Sequence, residues 1–463
     1  MNVTSPLLRH SHDRGYRPPA PAPQPRPLNP LRLISVLKRN PLECWAREHF
    51  EKWVVTGGLP VGHVAIVNHP DGIRRVLLDN AANYRKDTLQ RRVLSAGLGE
   101  GLLSAEGNQW RVQRRTVAPL FARRTVTQWA PAMISAAVAL VERWRQHCPA
   151  ALDVAAEMTR LTMDVLERTI FSDGFGCNAE EARLAMVTYF NTVGRIDPLD
   201  LLGAPNWIPR LNHLRVRPTL QFFERSIEDL IAARRRQRNA HPNDLLTLLL
   251  AARDPDTGEH MSEAEVTSNI LTFIMAGHET TANLLSWSLF LLSQSDEWRH
   301  LVRREAEREI NDSATDLADR LTDTRAVIEE AARLYPPIAA ISRVAIDADE
   351  LGGEAIAAGT LVVISPYVLH RHRLRWDNPD LFDPGRFLGN KRSLIERYSY
   401  LPFGAGPRTC IGSTFALQEA TIVLATIMKH FNMQLVPGHR VWPILRVTLK
   451  PAGGLPMIVR TSQ

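Results

Sequence analysis

Cysteine is scarce: the 463-residue chain has four, at positions 44, 148, 177 and 410, with no C-x-x-C pair. That excludes a disulfide-stapled secreted scaffold and leaves too few thiols, too far apart, for an iron–sulfur cluster. A reducing compartment follows, and the expected location is cytoplasmic. Long apolar runs are missing as well. The N-terminal stretch lacks the apolar core of a signal peptide, and no later segment has the ~18 uncharged apolar residues of a membrane helix, so no transmembrane anchor is expected. The formal charge is +7, yet no block of consecutive basic residues marks a nucleic-acid tail. The densest run, RRRQRNAH at 234–241, reads as the basic last turn of a helix before a loop. The overall basicity suits an acidic protein partner. No internal repeat and no convincing linker interrupt the chain, and a monomer is expected.

What is present is enough apolar material, 44% of residues, for a large core. Residues 1–30 are rich in Pro and Arg and read as a disordered or polyproline lead. Residues 31–463 read as one domain. Between 60 and 83, HVAIVNHP and IRRVLLD suggest a strand hairpin or a strand followed by a helix. Helical periodicity dominates from 105 to 335. Short strand-like runs return after 355, and Pro451-Ala452-Gly453-Gly454 looks like a hairpin turn between two apolar arms. The expected fold class is therefore mainly α with small β-sheets (α+β), with a long central helix and a smaller β-rich portion.

The central helix is set by MSEAEVTSNILTFIMAGHETTANLLSWSLFLLSQ, about thirty helix-forming residues opened by a Ser262/Glu265 capping box. It is apolar nearly all round, which places it inside the molecule. Mid-helix, Ala276-Gly277-His278-Glu279-Thr280-Thr281 puts a glycine, an acid and hydroxyls where propensity disfavours them. Thr280 can capture a carbonyl one turn back. A kink kept for packing is the plain structural explanation, but polar groups inside a buried apolar helix need a reason.

Near the C-terminus, Phe403-Gly404-Ala405-Gly406-Pro407-Arg408-Thr409-Cys410-Ile411-Gly412 precedes an apolar helix. An isolated cysteine is more often an inert buried residue. Here the glycine-rich loop and positive helix end favour a thiolate, and the glycines let the chain pass close to a flat cofactor. The spacing F-x-x-G-x-R-x-C-x-G resembles the haem-binding signature of the cytochrome P-450 family, and AGHETT resembles that family's oxygen-activation segment. Glu330-Ala331-Ala332-Arg333 is similar to its E-x-x-R helix, and Arg386 in PGRF is similar to the Arg of its P-x-R-F segment, with Gly385 where an acid is usual. Trp110-Arg111-Val112-Gln113-Arg114 is similar to its W-x-x-x-R. The matches run from about 105 to 412.

The resemblance implies a cytochrome P-450 fold and haem b (iron protoporphyrin IX) held by Cys410 as the iron ligand. It implies that Arg408, Trp110 and Arg114 serve the haem propionates, with Arg343 as a further candidate. Phe403, Gly404, Gly406 and Gly412 form the cysteine loop, and Ala276 and Gly277 flank the cofactor. Thr280 and Glu279 are the expected catalytic pair, the alcohol holding dioxygen and water and the acid relaying protons. Glu330, Arg333 and Arg386 are assigned to maintaining the fold. The implied reaction takes two electrons and two protons, puts one oxygen atom into a substrate by hydroxylation or epoxidation, and releases the other as water. Electrons would come from a ferredoxin, or a flavodoxin, with an NAD(P)H-dependent reductase. The apolar segment Pro337–Ile341, with Phe273, Ile274 and Ala276, implies an apolar substrate such as a lipid, fatty acid or terpenoid. A peroxide-using or isomerising haem-thiolate enzyme would usually lack the acid–alcohol pair, and a haem sensor would need no proton relay.

Overall fold

The computed structural model describes residues 15–59, 62–87, 99–172, 211–236, 243–310 and 315–462, with a few single positions between 174 and 192. Cys177 lies outside the described residues. Helices supply the bulk. Those that frame the site are α1 (Gly107–Val117), α2 (Ala130–Arg145), α3 (Val154–Leu166), α4 (Glu263–Ser293), α5 (Thr322–Leu334) and α6 (Ser413–His430). The helix carrying the basic run ends at Arg236. Its Arg234 is not solvated as a last-turn charge would be: it is buried and bonds Asp244 through both nitrogens at 2.7 and 2.8 Å.

The central helix is α4, 31 residues long, and its Ser262/Glu265 capping box is formed in both directions. Its buried face runs nearly all round because α2, α3, α5 and α6 belong to the same apolar cluster. Trp287 is fully buried there and stacks on Tyr335, with ring centroids 3.8 Å apart.

The β portion is split into small sheets. Strands β1 (Val54–Leu59) and β2 (Gly62–Val67) pair antiparallel, and β2 runs parallel to β8 (Leu361–Ile364). β8 pairs with β5 (Ile341–Ala345), and β5 with β3 (Tyr84–Arg85), closing the order β1-β2-β8-β5-β3. After β2 the chain enters a helix at Pro70, so strand followed by helix is the correct reading of that region. β6 (Asp349–Leu351) and β7 (Glu354–Ile356) pair on their own.

One expectation needs correction. The arms flanking residues 451–454 do not form a hairpin. β11 (Leu449–Pro451) pairs with β10 (Pro443–Leu445), whereas β12 (Pro456–Thr461) lies between β4 (Ala150–Asp153) and β9 (Phe431–Leu435). Gly453 and Gly454 both take positive φ and turn the chain into the second sheet, where Asp153 Oδ1 accepts from the Leu455 amide at 2.8 Å. The proline-rich lead, where described, is extended but docked. Pro19 offers its carbonyl to the Tyr335 hydroxyl at 2.8 Å, Tyr16 receives the Phe382 amide, and Gln24 bridges to Ala46. Proline cannot donate, but its carbonyls and ring surface still find partners.

Candidate active site

The cysteine loop is a tight bend stabilised by its own backbone. The Cys410 amide donates to the Phe403 carbonyl at 2.8 Å and Thr409 N–H to Gly406 at 3.1 Å. Gly406 takes φ +72°, and a Cβ there would run into the Leu77 carbonyl, so this position admits nothing larger. Gly404 also has positive φ. Gly412 ends the loop as the cap of α6, which begins at Ser413.

Cys410 stands exposed to open space although it lies deep in the molecule. Burial pushes its thiol up, while the Gly412 backbone and the Arg114 guanidinium pull it back toward the thiolate. An open sulfur at that depth, beside a cationic side chain, is what a large cofactor resting on the thiolate requires.

Around it the structure gathers positive charge. Arg408 bonds Glu106 at 2.8 Å and lies 4.3 Å above the Trp110 ring centroid. Trp110 and Arg114 sit one turn apart on α1, and Arg114 meets no carboxylate among the described residues. Arg343, on β5, donates to the Ser342 carbonyl at 2.7 Å and lies within the field of Arg408 and Glu106. Lys86, which the motifs did not reveal, joins them: its ammonium donates to the Leu103 carbonyl at 2.6 Å and pairs with Glu106 at 3.2 Å. Burial and the neighbouring Arg408 hold Lys86 down at about 8. Four cations gather here, two of them bonded to Glu106 and Arg343 also in the field of Asp87, and burial disfavours the charged form of each. A group bearing two carboxylates, as haem b does, fits such a cluster.

On the central helix, Ala276 is exposed and Thr280 half-exposed, whereas the preceding turn, Leu271–Met275, is buried. The two are i and i+4, so one strip of α4 faces open space. Thr280 Oγ1 donates to the Ala276 carbonyl at 2.7 Å, as the sequence suggested, yet the helix continues unbroken. A Cβ at Gly277 would point at Leu166 of α3, 3.3 Å away. The smallness of Gly277 serves the close approach of two helices. Glu279 turns to the C-terminal sheet, where Lys450 of β11 donates to its Oε1 at 3.3 Å. Burial raises the Glu279 carboxyl, opposed by Lys450 and Thr448. His278 is fully buried and held at about 4, hence neutral.

Of the apolar lining expected, Ile274 and Ala339 are buried in the core, and Phe273 packs edge-on against Phe121. Ala276, Ile338 and Ala340 are the exposed members. Glu330 and Arg333 are wholly buried and doubly bonded at 2.6 and 2.8 Å. Arg333 also donates to the carbonyls of His370, Pro379 and Leu381. Arg386 reaches Glu330 at 3.7 Å, a looser third member.

Comparison with known proteins agrees with this site. The cytochrome P450 family model matches residues 21–456. The chain is 34% identical to cyclooctatin synthase of Streptomyces melanosporofaciens over 84% of each protein. It is 32% identical to cyclooctat-9-en-7-ol 5-monooxygenase of the same organism over 87% of each. Pentalenene oxygenase of Streptomyces avermitilis is 30% identical over 82% of this chain and 84% of the relative. The chain belongs to the cytochrome P450 family. It is a monooxygenase that uses haem b to insert oxygen into apolar substrates, and it depends on a redox partner for electrons. Among the described residues no helix is long and apolar enough to cross a membrane.

Proposed function

We propose that this protein hydroxylates or epoxidises a cyclic terpenoid, with electrons delivered by a separate ferredoxin and its NAD(P)H-dependent reductase. The observation that carries the substrate class is the character of the exposed residues among those expected to line the site: Ala276, Ile338 and Ala340 offer small or aliphatic surface, with Thr280 the polar residue next to Ala276 on α4. Such a wall suits a compact hydrocarbon skeleton and offers no charge to a carboxylate-bearing chain. Two of the relatives above carry cyclooctatin-type names and one carries pentalenene, which supports the same class.

Bound on Cys410, haem supplies the iron at which dioxygen is reduced. The protein's own residues do the rest. The Gly412 backbone and Arg114 favour the thiolate form of Cys410. Arg408, Arg114, Arg343 and Lys86 hold the carboxylate edge. Thr280, whose proton is engaged by Ala276, presents its oxygen lone pairs to the open side and orients a proton donor there. Glu279 takes up and releases protons behind it. The acidic electron carrier docks near the proximal loop, where Arg111 and Arg124 are exposed.

The test is turnover of pentalenene and cyclooctat-9-en-7-ol with ferredoxin, reductase and NADPH, together with the reduced carbon-monoxide spectrum of wild type and Cys410→Ser. A strongly red-shifted Soret band lost in the variant, and a product carrying one atom from labelled dioxygen, are expected. Oxidation of fatty acids but of neither terpenoid would overturn the substrate class.

A further inference from the structure

Lys450 lies far from every motif that marks the site, yet its position is fixed from both sides. The β11 strand that carries it is pinned at Leu449, whose amide donates to the Pro337 carbonyl at 3.0 Å and whose carbonyl receives Trp287 Nε1 at 3.1 Å. One residue earlier, Thr448 Oγ1 accepts from Asn283 Nδ2 at 3.0 Å. Asn283 and Trp287 follow Glu279 on α4 at i+4 and i+8, so a single helical edge docks three consecutive residues, Thr448 to Lys450, at the entry to β11. The register leaves Lys450 opposite Glu279.

The pair spans the boundary between solvent and interior. The Lys450 side chain is 27% exposed and that of Glu279 10%. Nζ meets Oε1 at 3.3 Å, while Oε2 is buried with no hydrogen-bond partner among the described residues. A buried, unsatisfied carboxylate oxygen costs stability and is held for a reason, commonly an ordered water. The carboxylate therefore has a solvent-side oxygen on a cation and an inner oxygen able to pass a proton on.

We propose that Lys450 is a positioning residue for proton delivery: it holds Glu279 at the solvent boundary so that protons enter at Oε1 and leave from Oε2 toward the Thr280 face. A proton from bulk water adds to the Glu279 carboxylate, and the neutral acid gives it up inward. The anion is thereby restored beside the ammonium, with no net change in either residue. The charge acting on the Glu279 carboxyl is the Lys450 ammonium, and neighbouring His278, in the same field, is neutral. Removing Lys450 leaves burial opposed by Thr448 alone and favours Glu279 as the neutral acid.

This rests on the monooxygenase function above, and its test is chosen to be separable from the terpenoid reading. In the haem-loaded enzyme, a pH titration of the Glu279 carboxyl infrared band, identified by its absence in Glu279→Gln, needs no substrate. Lys450→Gln moves the loss of that band to higher pH by at least one unit, and Lys450→Arg returns it to near wild type. With pentalenene, ferredoxin and reductase, Lys450→Gln also lowers product formed per NADPH severalfold and enlarges the solvent isotope effect. The Glu279→Gln/Lys450→Gln double variant is no worse than Glu279→Gln alone. A Glu279 band unmoved in Lys450→Gln overturns the proposal, as does unchanged coupling in an enzyme that turns over. Failure of pentalenene to react bears on the substrate class alone, since the infrared arm still decides.

Discussion

The Thr280 hydroxyl donates to the Ala276 carbonyl 2.7 Å away, tying together an exposed and a half-exposed residue one turn apart in the middle of the buried central helix. The bond fixes where the hydroxyl proton points and leaves its oxygen to accept on the open side. Replacing Thr280 with Ala removes that acceptor without disturbing the helix, because the main-chain ladder is continuous through 263–293. Product formed per NADPH is expected to fall about tenfold, toward the range that a positioned proton-transfer group contributes. The missing electrons appear as hydrogen peroxide. Thr280→Ser keeps the donor and acceptor and stays near wild type. Stoichiometry of NADPH, peroxide and product checks both.

Glu330 and Arg333 call for a different assay, since they touch backbone rather than substrate. Both are fully buried, and Arg333 uses its remaining donors on three carbonyls while Glu330 accepts from the Asp383 amide at 2.8 Å. Removing either partner leaves a buried charge and several orphaned groups, so Glu330→Gln or Arg333→Ala is expected to cost about 3–5 kcal/mol. Arg386→Ala, which loses a contact at 3.7 Å, costs about 1 kcal/mol. Urea unfolding midpoints rank the three.

How far the sequence already contained this site depends on how its residues are spaced. Cys410, Arg408 and the glycines are contiguous, and Thr280 and Glu279 share one helical turn, so each group forms a short motif whose resemblance to the family's brought it forward. The capping box announced the start of α4, and its apolar circumference announced its burial. Lys86 and Lys450 had no such neighbours. Each is a single lysine on a short strand or its edge, and each reaches the site through tertiary pairing with residues 20 to 322 positions away. The docking of the lead was illegible for a related reason: proline content reports the loss of donors, and says nothing about carbonyl acceptors such as Pro19. Similarly, two glycines after an apolar run mark a turn but not which sheet the next strand joins.

His370 ties acid stability to the same buried arginine. Its Nε2 accepts from the Leu401 amide at 2.8 Å, which requires the neutral ring, and burial followed by the charges of Arg333 and Arg371 holds it at about 3. A histidine depressed in the folded state is neutral there while the unfolded chain takes up a proton below about 6.5. Its contribution is complete above that value and is lost as pH falls toward 3. Unfolding free energy should therefore drop by about 1.4 kcal/mol per pH unit for one such proton. His278, held at about 4, adds to the upper part of the window. His370→Gln is less stable at pH 7, and the difference from wild type narrows as pH falls from 6.5. Urea titrations at several pH values measure it.

Lys86 produces a dependence of the same sign at the alkaline end and reports on the cofactor edge. Burial, then Arg408, holds its folded value at about 8, below the ordinary 10.5, despite Glu106 nearby. Between those two values the unfolded chain carries the extra proton, so in haem-free protein the Lys86 contribution makes stability rise with pH from 8 to 10.5. Subtracting the profile of Lys86→Met isolates this group from the tyrosines and thiols that titrate in the same range. Binding haem brings carboxylates to the cluster, favours the ammonium, and should flatten the difference. A rise that persists unchanged after haem loading would place Lys86 outside the group of cations that holds the carboxylate edge. Lys86→Met is also expected to release haem faster to an apomyoglobin acceptor than wild type does, with a smaller effect than Arg408→Met, since Arg408 is flanked by both Trp110 and Glu106.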